Sequence, residues 1–372
     1  WDMFACPPKR AEKRAEMTDS ITISVDAMGG DHAPRAVIHG AHLALKERKN
    51  TRFIFHGLKE QIDPLLEEFP ALKPVSTVRH CETVIAMDEK PSQALRKGKG
   101  TSSMWMAIQA VKDKEADVAI SGGNTGALMA MATFCLRPMK GISRPGIAAI
   151  WPTLRSDIIV LDMGATIGAD AQQLVDYTIL GSALARALFD SESPTVGLLN
   201  VGTEEVKGLD YIKEAGKILS EASGAGFTYH GFVEGDDIGK GTVDVVVTEG
   251  FVGNIALKTA EGTARQVASY LRQSLKATLM SRIGALFASS ALNALRRKMD
   301  PRTVNGGVFM GLNGIVIKSH GGTDEIGYKS ALGLSYEMAR SRLMDKIGDT
   351  MHRFPIHKAD PNLPTETEAK SA

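Results

Sequence analysis

The stretch that decides the fold is I-T-I-S-V-D-A-M-G-G-D-H-A-P, residues 21–34, which leads into a helix-like run at Arg35 to Lys46. Its β-branched residues alternate along the chain and predict a strand that ends at the carboxylate of Asp26. The turn after this strand holds four candidate ligands: Gly29, Gly30, Asp31 and His32. Glycines let a ligand approach main-chain N–H groups at the start of the next helix. The stretch therefore predicts an anion site, with a turn whose glycines serve geometry alone as the alternative.

The same plan, an apolar strand followed by a polar, mostly glycine-containing loop, recurs along the chain. Further strands are predicted at residues 117–120, 158–161, 195–199 and 243–247. Strands that alternate with helices form a parallel sheet, and their loops meet at the carboxyl edge of the strands. We therefore expect these loops to lie together along one edge and to form one site.

The loops supply amides, hydroxyls, a lysine and many glycine N–H groups, which suit a small anion and a developing oxyanion. Lysine fits phosphate as a point charge. His320 follows a strand predicted at 309–318 and is either a site residue or a turn residue that bonds its neighbours. The candidates are Ser121, Asn124, Thr125, Gly126, Asn200, Thr203, Lys207, Gly253, Asn254 and His320.

Composition narrows the function classes. The 372 residues allow one large α/β domain or two, and a net charge of +1 gives no general argument for nucleic acid. Three scattered cysteines suit a reducing compartment and predict neither a disulfide framework nor a metal site. No apolar run reaches the ~20 residues that span a bilayer. We expect a soluble chain that is at most attached to a membrane surface.

The chain ends differ in composition from the body. Residues 1–16 lack the apolar core of a signal peptide and are interpreted as a disordered leader or a remnant of cloning, with Met17 as a natural start. Residues 355–372 are predicted to be a disordered tail. The body, 17–350, is predicted to be a single α/β domain. Within it, residues 137–154 are rich in proline and glycine and are expected to cross between layers.

Residues 270–299 predict two amphipathic helices joined by an apolar tip at 284–290 that contains Leu286 and Phe287. Such a hairpin with basic flanks suits anionic headgroups or an acidic protein. Burial in a homodimer interface is the alternative, and the two interpretations are compatible because a dimer can present paired tips. The flanking basic residues are Arg272, Lys276, Arg282, Arg296, Arg297 and Lys298.

Several familiar catalytic motifs are missing. No G-x-G-x-x-G follows a strand, no G-x-x-x-x-G-K-[ST] occurs, and no G-x-S-x-G offers a serine nucleophile. Cys135 lies in an apolar helical run, where a small hydrophobic role is more common than a thiolate. The sequence therefore favours a reaction in which one substrate attacks another directly, without a covalent enzyme intermediate.

Five blocks stand out, in order: V-D-A-M-G-G-D-H-A-P, S-G-G-N-T-G-A-L-M-A, L-L-N-V-G-T-E-E-V-K-G, V-V-T-E-G-F-V-G-N-I-A-L-K and G-L-N-G-I-V-I-K-S-H-G. Together they resemble the bacterial phosphate acyltransferase PlsX family of phospholipid synthesis, over residues 21–347. The resemblance implies transfer of a long acyl chain from acyl carrier protein to inorganic phosphate, with no cofactor. The acyl phosphate would serve a membrane glycerol-3-phosphate acyltransferase.

The resemblance also implies a fold and an assembly. The fold is similar to isocitrate and isopropylmalate dehydrogenases and to phosphotransacetylase: a Rossmann-like three-layer α/β/α domain with a mostly parallel sheet, plus a protruding helical hairpin. Members are cytoplasmic homodimers whose hairpin contacts the membrane peripherally. The family's essential lysine corresponds to Lys207 and its site asparagine to Asn254. Acyl carrier proteins are acidic, so the six basic residues of the hairpin become candidate docking residues.

The sequence differs from the family's motifs at two places, and three other functions remain as alternatives. S-G-G-N at 121–124 replaces the common S-A-G-N, and D-M-G-A-T at 162–166 replaces D-V-G-A-N, which leaves an amide contact at Thr166 unsupported. A coenzyme A-dependent phosphotransacylase would share the anion site. A metal-dependent decarboxylating dehydrogenase would need clustered aspartates, and no close i, i+4 pair lies on a predicted helix where a metal would need it. A membrane-docked scaffold for acyl carrier protein would have no activity.

Overall fold

The computed structural model describes residues 20–189, 191–222, 226–298 and 300–353. The leader and tail predicted from the sequence lie outside these residues. The strands of the described part form one sheet of eleven: β1 (Ile21–Asp26), β2 (Thr51–Gly57), β3 (Ser76–His80), β4 (Val118–Ser121), β5 (Gly146–Trp151), β6 (Ile158–Leu161), β7 (Thr195–Leu199), β8 (Thr228–Val233), β9 (Val245–Val247), β10 (Gly307–Met310) and β11 (Ile315–Lys318).

The sheet is mostly parallel, as the sequence predicts. Its order is β3-β2-β1-β4-β11-β10-β5-β6-β9-β7-β8. Neighbours are parallel except where β10 pairs with β11 and with β5, and where β5 pairs with β6. Buried apolar strands linked through helices account for the parallel parts.

The three antiparallel pairs reverse the sheet at its centre. Strands β1, β4 and β11 therefore point one way, and β6, β9 and β7 point the opposite way. The expectation that all strand-end loops share one edge is wrong. We call the carboxyl ends of β1, β4 and β11 the first edge and those of β6, β7 and β9 the second edge.

The reversal comes from two strands that the sequence does not predict. Residues 137–154, expected only to cross between layers, contain β5. The single strand expected at 309–318 is two strands, because the chain turns at Gly311, whose φ of +87° favours glycine.

Helices cover both faces of the sheet, which gives three layers. Alternate residues of each central strand enter two different apolar clusters: Val118 and Ile120 lie in one and Ala119 in the other. The helices are α1 (Arg35–Glu47), α2 (Lys59–Glu68), α3 (Pro91–Gly98), α4 (Ser103–Lys112), α5 (Thr125–Leu136), α6 (Ala171–Leu188), α7 (Asp210–Ser220), α8 (Gly235–Lys240), α9 (Gly250–Lys276), α10 (Leu279–Phe287), α11 (Ser289–Lys298), α12 (Glu325–Arg340) and α13 (Leu343–Arg353).

The region predicted as a helical hairpin has a different form, and the hairpin is not confirmed. Helix α9 runs for 27 residues from Gly250, and α10 and α11 follow it. The chain breaks at Ala277–Thr278, where Thr278 caps α10, and again at Ala288, between α10 and α11 and within the predicted tip at 284–290. The predicted tip residues lie inside α10, where Leu286 is 74% and Phe287 89% exposed. Among the described residues, each helix is too short or too polar to span a bilayer.

Candidate active site

Three turns meet at the first edge, and we call them the glycine cradle: residues 26–32, 121–124 and 318–323. The turns contact one another through their backbones. Asp31 N donates to Gly321 O at 2.9 Å, and Ser319 N donates to Ser121 O at 2.9 Å. A Cβ at Gly122 would lie 2.7 Å from Gly29 O. The glycines are needed here because side chains would push the turns apart.

Asp26 links two turns of the cradle through hydrogen bonds. Its buried carboxylate accepts a hydrogen bond from Ser121 Oγ at 2.6 Å and one from Met28 N at 3.2 Å. Ser121 Oγ in turn accepts from Gly123 N at 3.0 Å. Burial raises the pKa of Asp26, and the hydrogen bonds from Ser121 and Ser103 work against that rise. Asp26 and Ser121 therefore position the turns.

Lys318 is a cation of the cradle that sequence reasoning missed. Its Nζ donates to Gly122 O at 3.3 Å and also to Ser319 O. Burial lowers the pKa of Lys318 to about 8, although the charges of Asp26 and Asp31 work in the opposite direction. The only sequence signal was a lysine at the end of the apolar strand I-V-I-K.

The cradle has N–H groups to offer an anion. Among the described residues, the amides of Gly30 and Gly321 have no hydrogen-bond acceptor. Both glycines line a cavity of about 10 Å³, together with His32, His320 and Thr323, among others. That volume is about the size of one oxygen atom or water. Helices α1, α5 and α12 begin just beyond the cradle, and helix N-termini favour negative charge.

Two polar residues predicted as ligands mainly shape the cradle. Asn124 caps α5 by accepting from Ala127 N at 2.9 Å, and its amide donates to Met87 O and Glu89 O at 2.7 and 3.0 Å. It therefore ties the segment before α3 to the rim. His320 Nδ1 accepts from Gly322 N at 3.2 Å, which fits the turn role considered from the sequence.

The second edge has loops of similar appearance, and two buried carboxylates bind the amides of the loop after β6 and the first turn of α9. Buried Asp162 accepts from the backbone N–H groups of Ile147, Gly164, Ala165 and Thr166 at 2.9–3.0 Å. Buried Glu249 accepts from Gly168, Phe251 and Val252 at 2.8–3.0 Å and so caps α9. These particular amides are therefore not open to an anionic ligand.

Lys207 and Asn254 both lie at this second edge. Lys207 belongs to residues 200–208, the lysine loop, which Asn200 fixes by donating to Gly202 O and Lys207 O at 3.2 and 3.1 Å. The Lys207 side chain is 52% exposed, and its Nζ lies 2.8 Å from Glu204 Oε1. The hydrogen bond to Glu204 raises the pKa of Lys207, so it stays protonated at neutral pH.

Asn254 is exposed in the first turn of α9. Gly253 beside it is needed because a Cβ there would lie 1.9 Å from Asp162 O. The loop after β6 therefore packs directly on the start of α9. Asn254 adjoins Gly164 across the same contact.

An apolar cavity of about 240 Å³ opens next to the lysine loop. Strands β7 and β9 and helices α6, α7 and α9 supply its walls. Most of its lining is hydrocarbon, which suits an apolar ligand. The apolar lining residues are Leu174, Leu199, Val201, Leu209, Tyr211, Ile212, Val247 and Val252.

The structure thus divides the predicted site residues into two groups. The first edge holds Asp26, Gly29, Gly30, Asp31, His32, Ser121, Asn124, Thr125, Gly126 and His320, and the second edge holds Asn200, Thr203, Lys207, Gly253 and Asn254. Of the predicted docking residues, Arg272, Lys276 and Arg282 are exposed on α9 and α10. The side chains of Arg296, Arg297 and Lys298 lie outside the described part of the chain.

Comparison with known proteins decides the family. The family model described as "Fatty acid synthesis protein" matches residues 21–346. The phosphate acyltransferase of Chelativorans sp. (strain BNC1) is 62% identical over 334 residues, which cover 90% of this chain and 95% of that protein. The phosphate acyltransferase of Brucella ovis is also 62% identical, and the match covers 90% of this chain and 96% of that protein. The chain belongs to the phosphate acyltransferase family.

The fold of this phosphate acyltransferase family member is similar to the folds of two solved phosphotransacetylases. A phosphotransacetylase from Streptococcus pyogenes matches with a TM-score of 0.57 at 18% identity, covering 86% of this chain and 94% of that one. The EutD phosphotransacetylase from Staphylococcus aureus matches with a TM-score of 0.55 at 16% identity, covering 87% and 94%. These likenesses concern the fold. The family assignment makes the protein an acyltransferase.

Proposed function

We propose that this enzyme transfers a long-chain fatty acyl group from acyl carrier protein to inorganic phosphate and releases acyl phosphate for phospholipid synthesis. The observation that carries the phosphate site is the pair of unpaired amides, of Gly30 and Gly321, beside the oxygen-sized cavity near Lys318. Fixed N–H groups and a cation in a partly buried setting are what a phosphate oxyanion needs.

The chemistry requires positioning more than activation. A phosphate oxygen attacks the thioester carbonyl carbon, and the electron pair of the C=O bond moves to its oxygen. When the tetrahedral intermediate collapses, the C–S bond breaks, the C–O bond to phosphate remains, and the thiolate leaves and takes a proton from water. The thiolate is a good leaving group, so the enzyme must mainly align phosphate and stabilise the carbonyl oxyanion.

Lys207 and Asn254 are proposed to stabilise that oxyanion. Since Glu204 keeps Lys207 protonated, Lys207 acts as a fixed positive charge and not as a base. The apolar cavity beside the lysine loop suits the first part of the acyl chain. Phosphate would be held by the cradle while the thioester lies against Lys207.

The proposed partners follow from the family and the exposed surfaces. Acyl carrier protein would dock on the basic residues Arg272, Lys276 and Arg282, together with Arg296, Arg297 and Lys298. The exposed tip at Leu286 and Phe287 would touch the membrane peripherally, from the cytoplasm. The product would pass to a downstream glycerol-3-phosphate acyltransferase. The enzyme would be a homodimer.

Replacing Lys207 with alanine tests the catalytic role. We expect kcat to fall at least ~10²-fold, the size of effect seen when one oxyanion donor is removed. Lys213→Ala is the matched control, because Lys213 is also partly exposed and forms an i, i+3 ion pair, with Asp210 at 2.9 Å. Release of free carrier protein in the presence of phosphate gives the rate. A Lys207→Ala enzyme as fast as the control would refute the role.

The donor is tested by competition between thioesters. We expect long-chain acyl groups on acyl carrier protein to be used far better than the same groups on coenzyme A. The opposite preference would identify a coenzyme A-dependent phosphotransacylase. Phosphate-independent binding of acyl carrier protein without any turnover would identify a scaffold.

A further inference from the structure

Asn305 is not among the proposed site residues, yet it holds the third turn of the glycine cradle, residues 318–323. It lies two residues before β10, which pairs antiparallel with β11 so that Gly307 is opposite Lys318. Continued by two residues, this register places Asn305 beside His320, inside the third turn. Asn305 is only 8% exposed. The antiparallel pairing therefore brings a buried side-chain amide to this turn.

The amide of Asn305 bonds the third turn along its whole length. Its Nδ2 donates to Ser319 Oγ at 2.9 Å and to Gly327 O, in the first turn of α12, at 2.8 Å. A longer contact of 3.5 Å joins the same nitrogen to Thr323 Oγ1. Its Oδ1 accepts from His320 N at 2.9 Å. One side chain thus fixes the start, the middle and the end of the turn.

These bonds also decide which N–H group of the turn is left for an anion. The N–H of Ser319 donates to the neighbouring turn of the cradle, and that of Gly322 donates to the ring of His320. The N–H of His320 is taken by Asn305. From Ser319 to Gly322, all within the described part of the chain, the N–H of Gly321 alone has no acceptor. Asn305 therefore helps to hold that free amide at the wall of the cavity.

We propose that Asn305 is a positioning residue of the phosphate site, which holds the amide of Gly321 where a phosphate oxygen can accept its hydrogen bond. The inference rests on the proposed function, because it assumes that phosphate binds in the cradle. It deepens that function by naming a residue that sets the affinity for phosphate without touching it. A donor that is already fixed binds an anion better than a mobile one, because less ordering has to occur on binding.

Asparagine suits this position because both halves of its amide are used. The turn needs an acceptor for one N–H group and a donor for a hydroxyl and a carbonyl oxygen, and an amide supplies both. An aspartate would keep the acceptor, lose the donor to Gly327 O and place a negative charge beside the anion site. An alanine would leave the N–H of His320 without its acceptor and the turn free to move.

Replacing Asn305 with alanine tests the proposal. We expect the Kd for inorganic phosphate, measured by calorimetric titration, and the KM for phosphate to rise roughly 10-fold, the effect of losing about one hydrogen bond. The KM for the thioester should not change, because Asn305 lies at the first edge and the apolar cavity at the second. This split between the two substrates is the result that a merely structural role would not produce.

Asn313→Ala is the matched control. The side-chain amide of Asn313 also bonds three oxygens, the backbone oxygens of residues 136–138 at 2.9–3.3 Å, but it does so at the other end of β10 and β11. Both variants lose hydrogen bonds, so both should have a lower melting temperature. Only Asn305→Ala should bind phosphate more weakly. Equal phosphate affinity in the two variants would overturn the positioning role.

A milder variant serves if Asn305→Ala does not fold, as judged by circular dichroism. Ser319→Ala removes the hydroxyl that accepts from Asn305 and leaves the backbone of the turn unchanged. Phosphate binding should weaken in the same direction, and by less than in a folded Asn305→Ala enzyme. Phosphate affinity equal to that of the wild type would contradict the proposal.

The outcomes separate this inference from the proposed function. Gly30→Ala changes the cradle directly, so unchanged phosphate affinity in that variant would contradict the phosphate site itself. If Gly30→Ala weakens phosphate binding and Asn305→Ala does not, the phosphate site stands and only the role of Asn305 fails.

Discussion

Lys318 shows how one side chain links the cradle to pH. Its pKa of about 8 means that the ammonium loses its proton in the mildly alkaline range, where the cradle would lose a positive charge. We expect the KM for phosphate to rise as pH passes through about 8. In Lys318→Arg the guanidinium stays protonated, so this rise should move to higher pH. Phosphate saturation curves between pH 6.5 and 9.5 measure the effect, and an identical profile in both enzymes would exclude Lys318 as a phosphate ligand.

Gly30 tests the backbone geometry of the cradle. Its φ is +113°, and a Cβ there would lie 2.9 Å from Gly321 O. Gly30→Ala should therefore separate the two turns, weaken phosphate binding and lower the free energy of unfolding by ~1–3 kcal/mol. Gly100→Ala is the control: its φ is also positive, at +80°, but no atom lies within 4 Å of the added Cβ. Calorimetric titration with phosphate should distinguish the two variants, and equal phosphate affinity would count against the cradle.

Some site residues can be read from sequence and others cannot. The turns at 29–30 and 121–124 were predictable as turns, because adjacent glycines after a strand mark a tight connection to the next helix. The occupied amides at Asp162 and Glu249 were not, since a carboxylate that binds its own loop looks the same in sequence as one that binds a ligand. Lys318 was missed because it ends an otherwise apolar strand.

At the scale of an element, the exposed end of α10 predicts membrane contact. Leu286 and Phe287 project from a helix in which no residue is buried. Replacing both with serine should weaken binding to vesicles of anionic lipid several-fold and leave turnover of a soluble short-chain thioester unchanged. Leu154→Ser is the control, because Leu154 is equally exposed on another part of the surface. Co-sedimentation with vesicles measures the binding; unchanged binding of the double variant would argue that α10 has another use.

Periodicity predicted the helical character of residues 270–299 but not how the helices divide. Helical spacing of apolar residues continues across Ala277 and Thr278, so only the capping hydrogen bonds of Thr278 and Ser281 reveal the break. The run G-A-L-F-A-S-S suggested a loop, although most of it is helix. Weak helix formers such as glycine and serine are tolerated inside a helix when their neighbours favour it.

At the scale of the whole molecule, the sequence predicted a mostly parallel sheet with helices on both faces, and this is confirmed. The one-edge site failed because β5 and β10 were not recognised. Both are short, and both lie next to proline or glycine, which are normally signs of a loop. These two strands are also the ones that reverse the sheet. A local misreading of ten residues thus changed the predicted position of half the site.

Because helix α9 is long and mostly exposed, a single chain should be sensitive to proteolysis within this helix. A helix held at only one end opens easily, and trypsin needs an opened segment around a lysine or arginine. If the proposed dimer dissociates, Arg272 and Lys276 near the far end of α9 would then be cut. We expect nicking within this helix to accelerate on dilution, while the sheet survives as a resistant fragment. Mass spectrometry of timed digests at nanomolar and micromolar protein would show it; a digestion pattern independent of concentration would mean that α9 has no partner to lose.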